Sequence, residues 1–229
     1  MYININGIEL FYEMKGSGSP IILLHGNGED HTIFNVLIEQ LSEKYTVYAL
    51  DSRDHGKSSK TNAISYDLMM EDVAGFINVL KIDQPALYGF SDGGIVGILL
   101  ALKYPDLLSR LAISGVNIRP DGIKLKYLVG IRISYFFKRD KKLLMMLTQP
   151  NIKNSYLKGI AVPTLMLAGS NDLIKEDHTK MIASNIPNSI LLILKGEGHA
   201  SYVVSSKKLY EILEPFLQGY LYGQPPEDR

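Results

Sequence analysis

The stretch "ALYGFSDGGIVGILLALKYP", residues 86–105, decides how this chain folds. Its first five residues form an apolar run suited to a buried strand, and an apolar segment with helical spacing follows Ser91. The serine lies between glycines at positions 89 and 93, where a Cβ would collide with neighbouring backbone in a sharp turn. The pattern Gly-x-Ser-x-Gly therefore predicts a nucleophile elbow that presents the Ser91 hydroxyl at the edge of a sheet.

Strand and helix signals alternate on both sides of this elbow. Residues 2–14 alternate in polarity around Asn6-Gly7, a strong hairpin signal because both turn positions need positive φ. The predicted strands are residues 21–25, 45–51, 86–90, 108–115, 162–169 and 189–196, and the predicted helices are residues 33–42, 66–80, 93–103, 175–185 and 203–221. This order predicts an α/β fold in which a mostly parallel sheet has helices on both faces. The final residues, GQPPEDR, are expected to form a frayed tail.

Composition restricts the classes of function. The 229 residues are 46% hydrophobic, which suits one domain over residues 1–229 with one substantial core. The net charge is zero, so no nucleic-acid partner is predicted. The absence of cysteine excludes disulfides, thiolate zinc sites and cysteine nucleophiles, and it suits a reducing compartment. The chain shows neither a signal-peptide pattern nor an apolar run of roughly 18–20 residues, so a cytoplasmic protein without integral membrane association is predicted.

Residues 117–158 interrupt the alternation and contain no clear strand. They carry ten basic residues and two acidic ones, a net charge of +8, so the rest of the neutral chain carries −8. We interpret this segment as a short, mostly helical cap over the sheet, with its lysines facing water. One alternative is loose attachment to anionic lipid. The other is an apolar lid over the substrate, formed by Ile131, Ile133, Tyr135, Phe136 and Phe137.

Two further strands place an acid and a histidine where the serine is predicted. In an open α/β sheet, ligands bind beyond the carboxyl ends of the strands. Asp172 follows the strand at 162–169, and His199 follows the strand at 189–196. His199 would take the proton of Ser91 and return it to a leaving group, while Asp172 would fix the imidazole tautomer. Asp177 is the alternative acid, and it is less favoured because it falls within the following helix.

A glycine-containing turn is expected to complete the site. The sequence HGNGED, residues 25–30, follows the first buried strand, and its glycines let a backbone N–H face the serine. We predict that the N–H groups of Asn27 and Asp92 form an oxyanion hole, and that Gly26 and Asp92 contact the substrate. The Asp92 side chain is expected to be an exposed carboxylate at a helix N-terminus. The alternative is a carboxylate that faces the pocket and favours substrates with a cationic acyl group.

Five motifs carry a resemblance to a known family. The sequences LLHGNGED, DSRDHGKS, GFSDGG, AGSNDLI and GEGHAS, in this order, resemble the α/β-hydrolase superfamily from about residue 8 to residue 221. The resemblance implies an eight-stranded sheet, a serine–aspartate–histidine triad and a helical cap after the sixth strand. The Ser-Asp-Gly-Gly elbow is similar to that of valacyclovir hydrolase-like esterases. Serine rather than aspartate at position 91 argues against the haloalkane dehalogenase branch.

The other histidines and nearby acids are expected to be structural. His25 is predicted to support the oxyanion turn, and His178 is predicted to be a solvated helix residue. No metal is predicted, because the spacing of His25, Glu29, Asp30 and His31 fits no common site. Asp30 is expected to cap its loop instead.

Together these features predict a serine hydrolase that cleaves a small-molecule carboxylic ester through an acyl-enzyme intermediate, without metal or organic cofactor. An amide or a thioester is a less favoured bond. Two alternatives stay open within the fold, a cofactor-free perhydrolase and a C–C bond hydrolase. A third alternative, from another class, is a catalytically silent binding protein, which is disfavoured because all three triad residues are present. A monomer or homodimer is expected.

Overall fold

The computed structural model describes residues 1–220, along which strands and helices alternate. The strands are β1 (Tyr2–Ile5), β2 (Ile8–Lys15), β3 (Ser19–Leu24), β4 (Tyr45–Leu50), β5 (Ala86–Phe90), β6 (Arg110–Ser114), β7 (Thr164–Gly169) and β8 (Ser189–Leu194). The α-helices are α1 (Asn35–Leu41), α2 (Tyr66–Leu80), α3 (Asp92–Lys103), α4 (Leu125–Lys138), α5 (Lys141–Thr148), α6 (Glu176–Asn185) and α7 (Lys208–Leu217). Short 3-10 helices occupy His31–Phe34, Pro120–Gly122 and Asn154–Gly159. No helix among these residues has the length and apolarity needed to cross a lipid bilayer.

The eight described strands form one sheet in the order β1-β2-β4-β3-β5-β6-β7-β8. The first two pairs in this order are antiparallel, and every later pair is parallel. Asn6 and Gly7 turn the opening hairpin with φ angles of 51° and 77°, as the sequence predicts. The predicted fold class, an eight-stranded and mostly parallel α/β sheet, is confirmed.

Helices bury apolar side chains on both faces of this sheet. On one face, α2, α3 and α6 bury Phe76, Ile98 and Ile182. On the other face, α1 and α7 bury Leu37 and Leu213. Successive strand side chains alternate between these two clusters, which explains why the parallel strands are continuous apolar runs in the sequence. The sheet is therefore a rigid support for the loops at its carboxyl edge.

Helices α4 and α5 lie between β6 and β7 in residues 117–158, the segment predicted as a cap, and this segment contains no named strand, as predicted. Lys141 and Lys142 attach α5 to the loop after β4 through ion pairs with Asp54, at 3.2 and 3.5 Å. Burial opposes ionisation of Asp54, but the hydrogen bond from Lys141 holds the pKa of this carboxyl below its usual range. Ion pairs therefore hold α5 against the loop after β4, and buried Met145 of α5 packs into the apolar cluster on one face of the sheet.

Two predicted helices differ from the structure by more than one residue, whereas the other three agree to within one residue at each end. The last helix begins at Lys208 rather than 203, because Ser205 has a φ of 51°, which helical backbone does not allow. It ends at Leu217, and Gly219 follows with a φ of 93°, a common helix terminator. The helix predicted at 33–42 is divided into a 3-10 helix and α1. The predicted helical residue 221 and the predicted frayed tail lie outside the described residues.

Candidate active site

Ser91 occupies the turn between β5 and α3. Its backbone has φ 52° and ψ −114°, a conformation that costs free energy for any residue with a side chain. A Cβ on Gly89 would lie 2.3 Å from the Gly93 carbonyl oxygen, and a Cβ on Gly93 would lie 2.2 Å from the Leu24 carbonyl oxygen. The two glycines therefore permit close backbone approach, and the serine itself carries the strained angles.

Hydrogen bonds link Ser91 to a histidine and a buried acid. The Nε2 atom of His199 lies 3.2 Å from Ser91 Oγ, and its Nδ1 atom lies 2.7 Å from Asp172 Oδ1. Asp172 is buried, and its Oδ1 also accepts the Ile174 N–H at 2.9 Å. With the Nδ1 proton directed at this carboxylate, Nε2 is free to accept the serine proton. The alternative acid, Asp177, is exposed on α6.

Two residues that the sequence analysis missed shape the space around His199. Gly115 follows β6 with a φ of 63°, and a Cβ there would lie 2.6 Å from His199 Cε1. The Phe90 ring packs on the other side, 4.9 Å from the imidazole centroid. A glycine at the end of the predicted strand 108–115 was the only sequence signal for this contact. The imidazole is therefore held by close packing as well as by Asp172.

The two predicted oxyanion donors lie on either side of Ser91. Asn27 is in the turn after β3, and its N–H has no acceptor among residues 1–220. Asp92 is the first residue of α3, where helix geometry provides no acceptor for the N–H. A Cβ on Gly26 would lie 3.1 Å from Ser91 Cβ, which shows how closely the β3 turn approaches the serine. Both N–H groups are thus available to a ligand.

The Asp92 carboxylate is buried, so the expectation of an exposed carboxylate is wrong. Only 2% of the residue is accessible. Its Oδ1 accepts the Tyr66 hydroxyl at 2.8 Å, and its Oδ2 accepts the Asn27 side-chain amide at 2.9 Å. Burial raises the pKa of this carboxyl, although both hydrogen bonds oppose the rise. Asp92 also lines a cavity of about 20 Å³ behind Ser91 and His199. No local sequence pattern indicates that Tyr66 contacts Asp92, because Tyr66 lies on α2, 26 residues earlier in the chain.

A cleft of about 500 Å³ opens in front of Ser91. The cap supplies much of its wall, including Tyr127, Ile131, Leu143 and Met146. The predicted lid alternative is therefore only partly correct, since Ile131 lines the cleft whereas Ile133, Phe136 and Phe137 are exposed to solvent. A second cavity of about 570 Å³ lies near Tyr45 and Arg110 at the opposite edge of the sheet, and no histidine lines it.

Glu29 is a cleft residue that the sequence analysis considered only as a metal ligand. Its Oε2 accepts the Gly26 N–H at 3.0 Å, and burial raises its pKa. A Cβ on Gly26 would lie 2.7 Å from this oxygen. Gly26, predicted to contact substrate, borders the cleft beside Ser91. The cleft therefore combines an apolar cap wall with one carboxyl group near the nucleophile.

His25 stabilises the turn after β3, which carries the proposed oxyanion donor Asn27. It is fully buried, its Nε2 accepts the Ser52 N–H at 3.0 Å, and its Nδ1 lies 2.8 Å from the Gly26 carbonyl oxygen. Burial and the adjacent His55 lower its pKa to about 4. His25 is therefore neutral at pH 7 and holds the β3 turn against the β4 loop, in agreement with its predicted structural role.

His178 is buried, so its prediction as a solvated helix residue is wrong. Its Nε2 accepts the Ile118 N–H at 3.1 Å, and a Cβ on Gly122 would lie 2.6 Å from its ring. Burial lowers the pKa of His178 to about 4. Residues 118–122, which lie before α4 and about 60 positions away along the chain, pack against the side of α6 that bears His178. No local sequence pattern indicates this contact.

Asp30, His31 and Asp51 place potential ligand atoms within 4.8 Å of one another. These side chains form hydrogen bonds within the protein. His31 Nδ1 lies 2.7 Å from Asp51 Oδ1, and Asp30 Oδ1 accepts the Thr32 N–H at 2.9 Å. Asp30 thus caps the 3-10 helix that begins at His31, as predicted. Asp51 also accepts the Lys57 N–H at 2.8 Å, which closes the loop after β4.

Comparisons with known proteins agree with this architecture. A family model described as "alpha/beta hydrolase fold" matches residues 19–139. The human protein "Serine hydrolase BPHL" is 26% identical over 250 residues, which cover 94% of this chain and 85% of that protein. A solved esterase from Thermogutta terrifontis has a TM-score of 0.80 at 23% identity and covers 95% of this chain and 98% of its own. An enol-lactonase from Burkholderia xenovorans LB400 has a TM-score of 0.79 at 21% identity, over 95% and 100% of the two chains.

Proposed function

This chain is an enzyme of the α/β-hydrolase family, and from that premise we propose that it cleaves a small-molecule carboxylic ester through an acyl-enzyme intermediate on Ser91. One observation carries the proposal, the hydrogen bonds from Ser91 through His199 to Asp172, at 3.2 and 2.7 Å. The chain order serine, acid, histidine is the order typical of this fold. A relative named serine hydrolase supports the same reaction class.

Acylation follows from the position of the imidazole. His199 Nε2 takes the Ser91 hydroxyl proton while Oγ forms a bond to the ester carbonyl carbon. The carbonyl electron pair moves onto its oxygen, and Asp172 stabilises the imidazolium at Nδ1. Collapse of this tetrahedral species breaks the bond to the alcohol oxygen, which takes the proton from Nε2. The alcohol leaves, and the acyl group stays on Ser91.

Deacylation repeats these steps with water in place of Ser91. Nε2 of His199 takes a proton from water as the water oxygen attacks the acyl carbon. Collapse breaks the bond to Oγ, which recovers its proton from Nε2 and releases a carboxylic acid. The same nitrogen serves as base and then as acid in both halves, so the proposed steps need no cofactor.

The N–H groups of Asn27 and Asp92 are the proposed oxyanion donors. Asp92 begins α3, and the positive end of a helix dipole favours negative charge there. The side-chain amide of Asn27 donates a hydrogen bond to the Asp92 carboxylate, and this bond joins the two turns that carry the donors. Losing one such donor typically costs about 3 kcal/mol of transition-state stabilisation. Donors fixed before substrate binds stabilise the oxyanion without further reorganisation.

The test is hydrolysis of p-nitrophenyl esters, from acetate to decanoate, by the wild type and by Ser91→Ala. We expect the wild type to release p-nitrophenol, to react covalently with a fluorophosphonate, and to lose both properties in the variant. The preferred chain length reports which acyl groups the 500 Å³ cleft accepts. Equal rates in both proteins would contradict the proposal, and failure of both ester turnover and labelling would favour the binding-protein alternative.

We also propose that residues 117–158 form a cap on a single catalytic domain, that the protein is a monomer or homodimer, and that it works in the cytoplasm.

Two alternative reactions within the fold have their own tests. Peroxide-dependent halogenation would identify the perhydrolase, and turnover of a C–C substrate in place of esters would identify the C–C bond hydrolase.

A further inference from the structure

The solvent face of α4 is apolar. Five large apolar side chains on this helix are 68, 42, 55, 63 and 78% exposed, in the order Leu125, Val129, Ile133, Phe136 and Phe137. At 3.6 residues per turn these positions fall within one stripe about 120° wide. The opposite side of the helix, which includes Leu128 and Ile131, packs against the protein or lines the cleft. Surface helices normally expose polar side chains, so this stripe indicates an interaction surface.

Basic residues surround the stripe, and no acidic residue interrupts it. Residues 124–139 include five lysines and arginines and no aspartate or glutamate. Of these, Lys126, Arg132, Lys138 and Arg139 are exposed. The guanidinium carbon of Arg139 lies 5.4 Å from the Phe136 ring centroid, so charge and aromatic surface are adjacent. We use the name cap face for the set Leu125, Lys126, Val129, Arg132, Ile133, Phe136, Phe137 and Arg139.

We propose that the cap face docks the protein onto the surface of an anionic lipid membrane. Its apolar side chains enter the boundary between headgroups and acyl chains, while its basic side chains contact lipid phosphates. Charge complementarity selects this partner. A second copy that presented the same face would bring like charges together, and a purely apolar partner would leave the cations without counter-charges.

Docking in this orientation has a consequence for substrate access. Tyr127, Gly130 and Ile131 of the same helix line the cleft that leads to Ser91. The mouth of the cleft would therefore lie near the lipid surface, where an amphiphilic ester concentrates. This consequence rests on the proposed function, whereas docking itself does not require Ser91 to be a nucleophile. A vesicle-binding measurement consequently separates failure of one proposal from failure of the other.

The experiment is co-sedimentation with sucrose-loaded vesicles of phosphatidylcholine, with or without phosphatidylglycerol, at low and high salt. We expect the wild type to partition onto the anionic vesicles at low salt, at least about tenfold more strongly than onto neutral vesicles. High salt should weaken this binding, because it screens exposed charges. Two double variants, Phe136→Ser with Phe137→Ser and Arg132→Glu with Arg139→Glu, should each lose more than about tenfold of the binding.

Matched controls lie on elements outside the cap face. Val79→Ser removes an apolar side chain that is 58% exposed on α2, and Lys158→Glu reverses an exposed charge in the last 3-10 helix. We expect both controls to bind vesicles as the wild type does. All variants should keep their circular dichroism and their turnover of a water-soluble ester, which shows that they are folded.

Three results would overturn the proposal. The first is a wild type that does not bind anionic vesicles at low salt. The second is equal loss of binding in the control variants. The third is a dimer, detected by analytical ultracentrifugation, that Phe136→Ser with Phe137→Ser dissociates while vesicle binding is absent, which would identify a second copy as the partner.

Discussion

The side-chain amide of Asn27 donates to Asp92 Oδ2 at 2.9 Å, although the two residues are 65 positions apart. The bond joins the turn after β3 to the start of α3, and each turn bears one of the proposed oxyanion donors. This hydrogen bond between the side chains therefore fixes the relative positions of the Asn27 and Asp92 backbone N–H groups.

Asn27→Ala keeps its own backbone N–H but removes this bond. We expect kcat to fall by about tenfold or more with little change in KM, because a displaced donor acts mainly in the transition state. Steady-state kinetics with a p-nitrophenyl ester measures the split. A double-mutant cycle with Asp92→Ala should give strongly non-additive losses, and additive losses would count against the coupling.

The acid of the proposed triad is tested by a pair of isosteric variants. Asp172→Asn removes the charge beside His199 Nδ1, so we expect kcat to fall by about 10⁴-fold. Asp177→Asn changes the exposed acid on α6 and should retain wild-type activity. The assignment is wrong if Asp177→Asn is the inactive variant and Asp172→Asn remains active.

Gly115→Ala tests the space around the imidazole. The added Cβ would lie 2.6 Å from His199 Cε1, so the ring must move and kcat should fall by more than about tenfold. Gly196→Ala is a matched control, since Gly196 has a positive φ of 81° but no atom within 4 Å of its Cβ position. Both variants should lose about 1 kcal/mol or more of stability from backbone strain, and only Gly115→Ala should lose activity.

Two buried histidines make stability depend on pH. The pKa values of His25 and His178 are lowered from 6.5 to about 4, so unfolding takes up protons between these values. Their contribution to stability is complete above pH 6.5 and is lost as pH falls toward 4, by at most about 1.4 kcal/mol per pH unit for each histidine. Urea unfolding measured from about pH 7.5 down to about pH 5 should show no loss from these histidines above about pH 6.5 and a growing loss below it.

His178→Gln identifies one of these two contributions. A glutamine oxygen still accepts the Ile118 N–H but does not titrate, so the variant should show a shallower decrease of stability on acidification. An unchanged slope in the variant would show that His178 takes up no proton on unfolding.

Asp92 provides a test of acyl-group selectivity. The carboxylate lines the small cavity behind Ser91, and each of its oxygens has a second lone pair for a substrate. We expect the wild type to turn over an aminoacyl ester about tenfold faster, in kcat/KM, than its deaminated analogue, because hydrogen bonds to charged groups contribute about 1.5–3 kcal/mol. Asp92→Asn should reduce this ratio toward one. Equal turnover of the two esters by the wild type would contradict the role.

The sequence by itself determined the order of strands and helices and the places where reactive residues interrupt them. Period-two and period-3.6 apolar patterns are local, and so is the Gly-x-Ser-x-Gly spacing, which explains why the elbow at Ser91 and the loops at Asp172 and His199 were predictable. Parallel strands align their carboxyl ends, so loops distant in sequence had to meet at one edge.

Only the tertiary structure decided which polar side chains are buried and which apolar ones are exposed. Tyr66 covers Asp92, and the segment before the cap covers His178; both contacts join elements that no local pattern connects. Phe136 and Phe137, which one alternative placed in a lid over the substrate, instead face solvent because the packing of Leu128 and Ile131 sets the rotation of the helix. Burial is a property of the assembled chain, since it depends on which distant surfaces come together and exclude water.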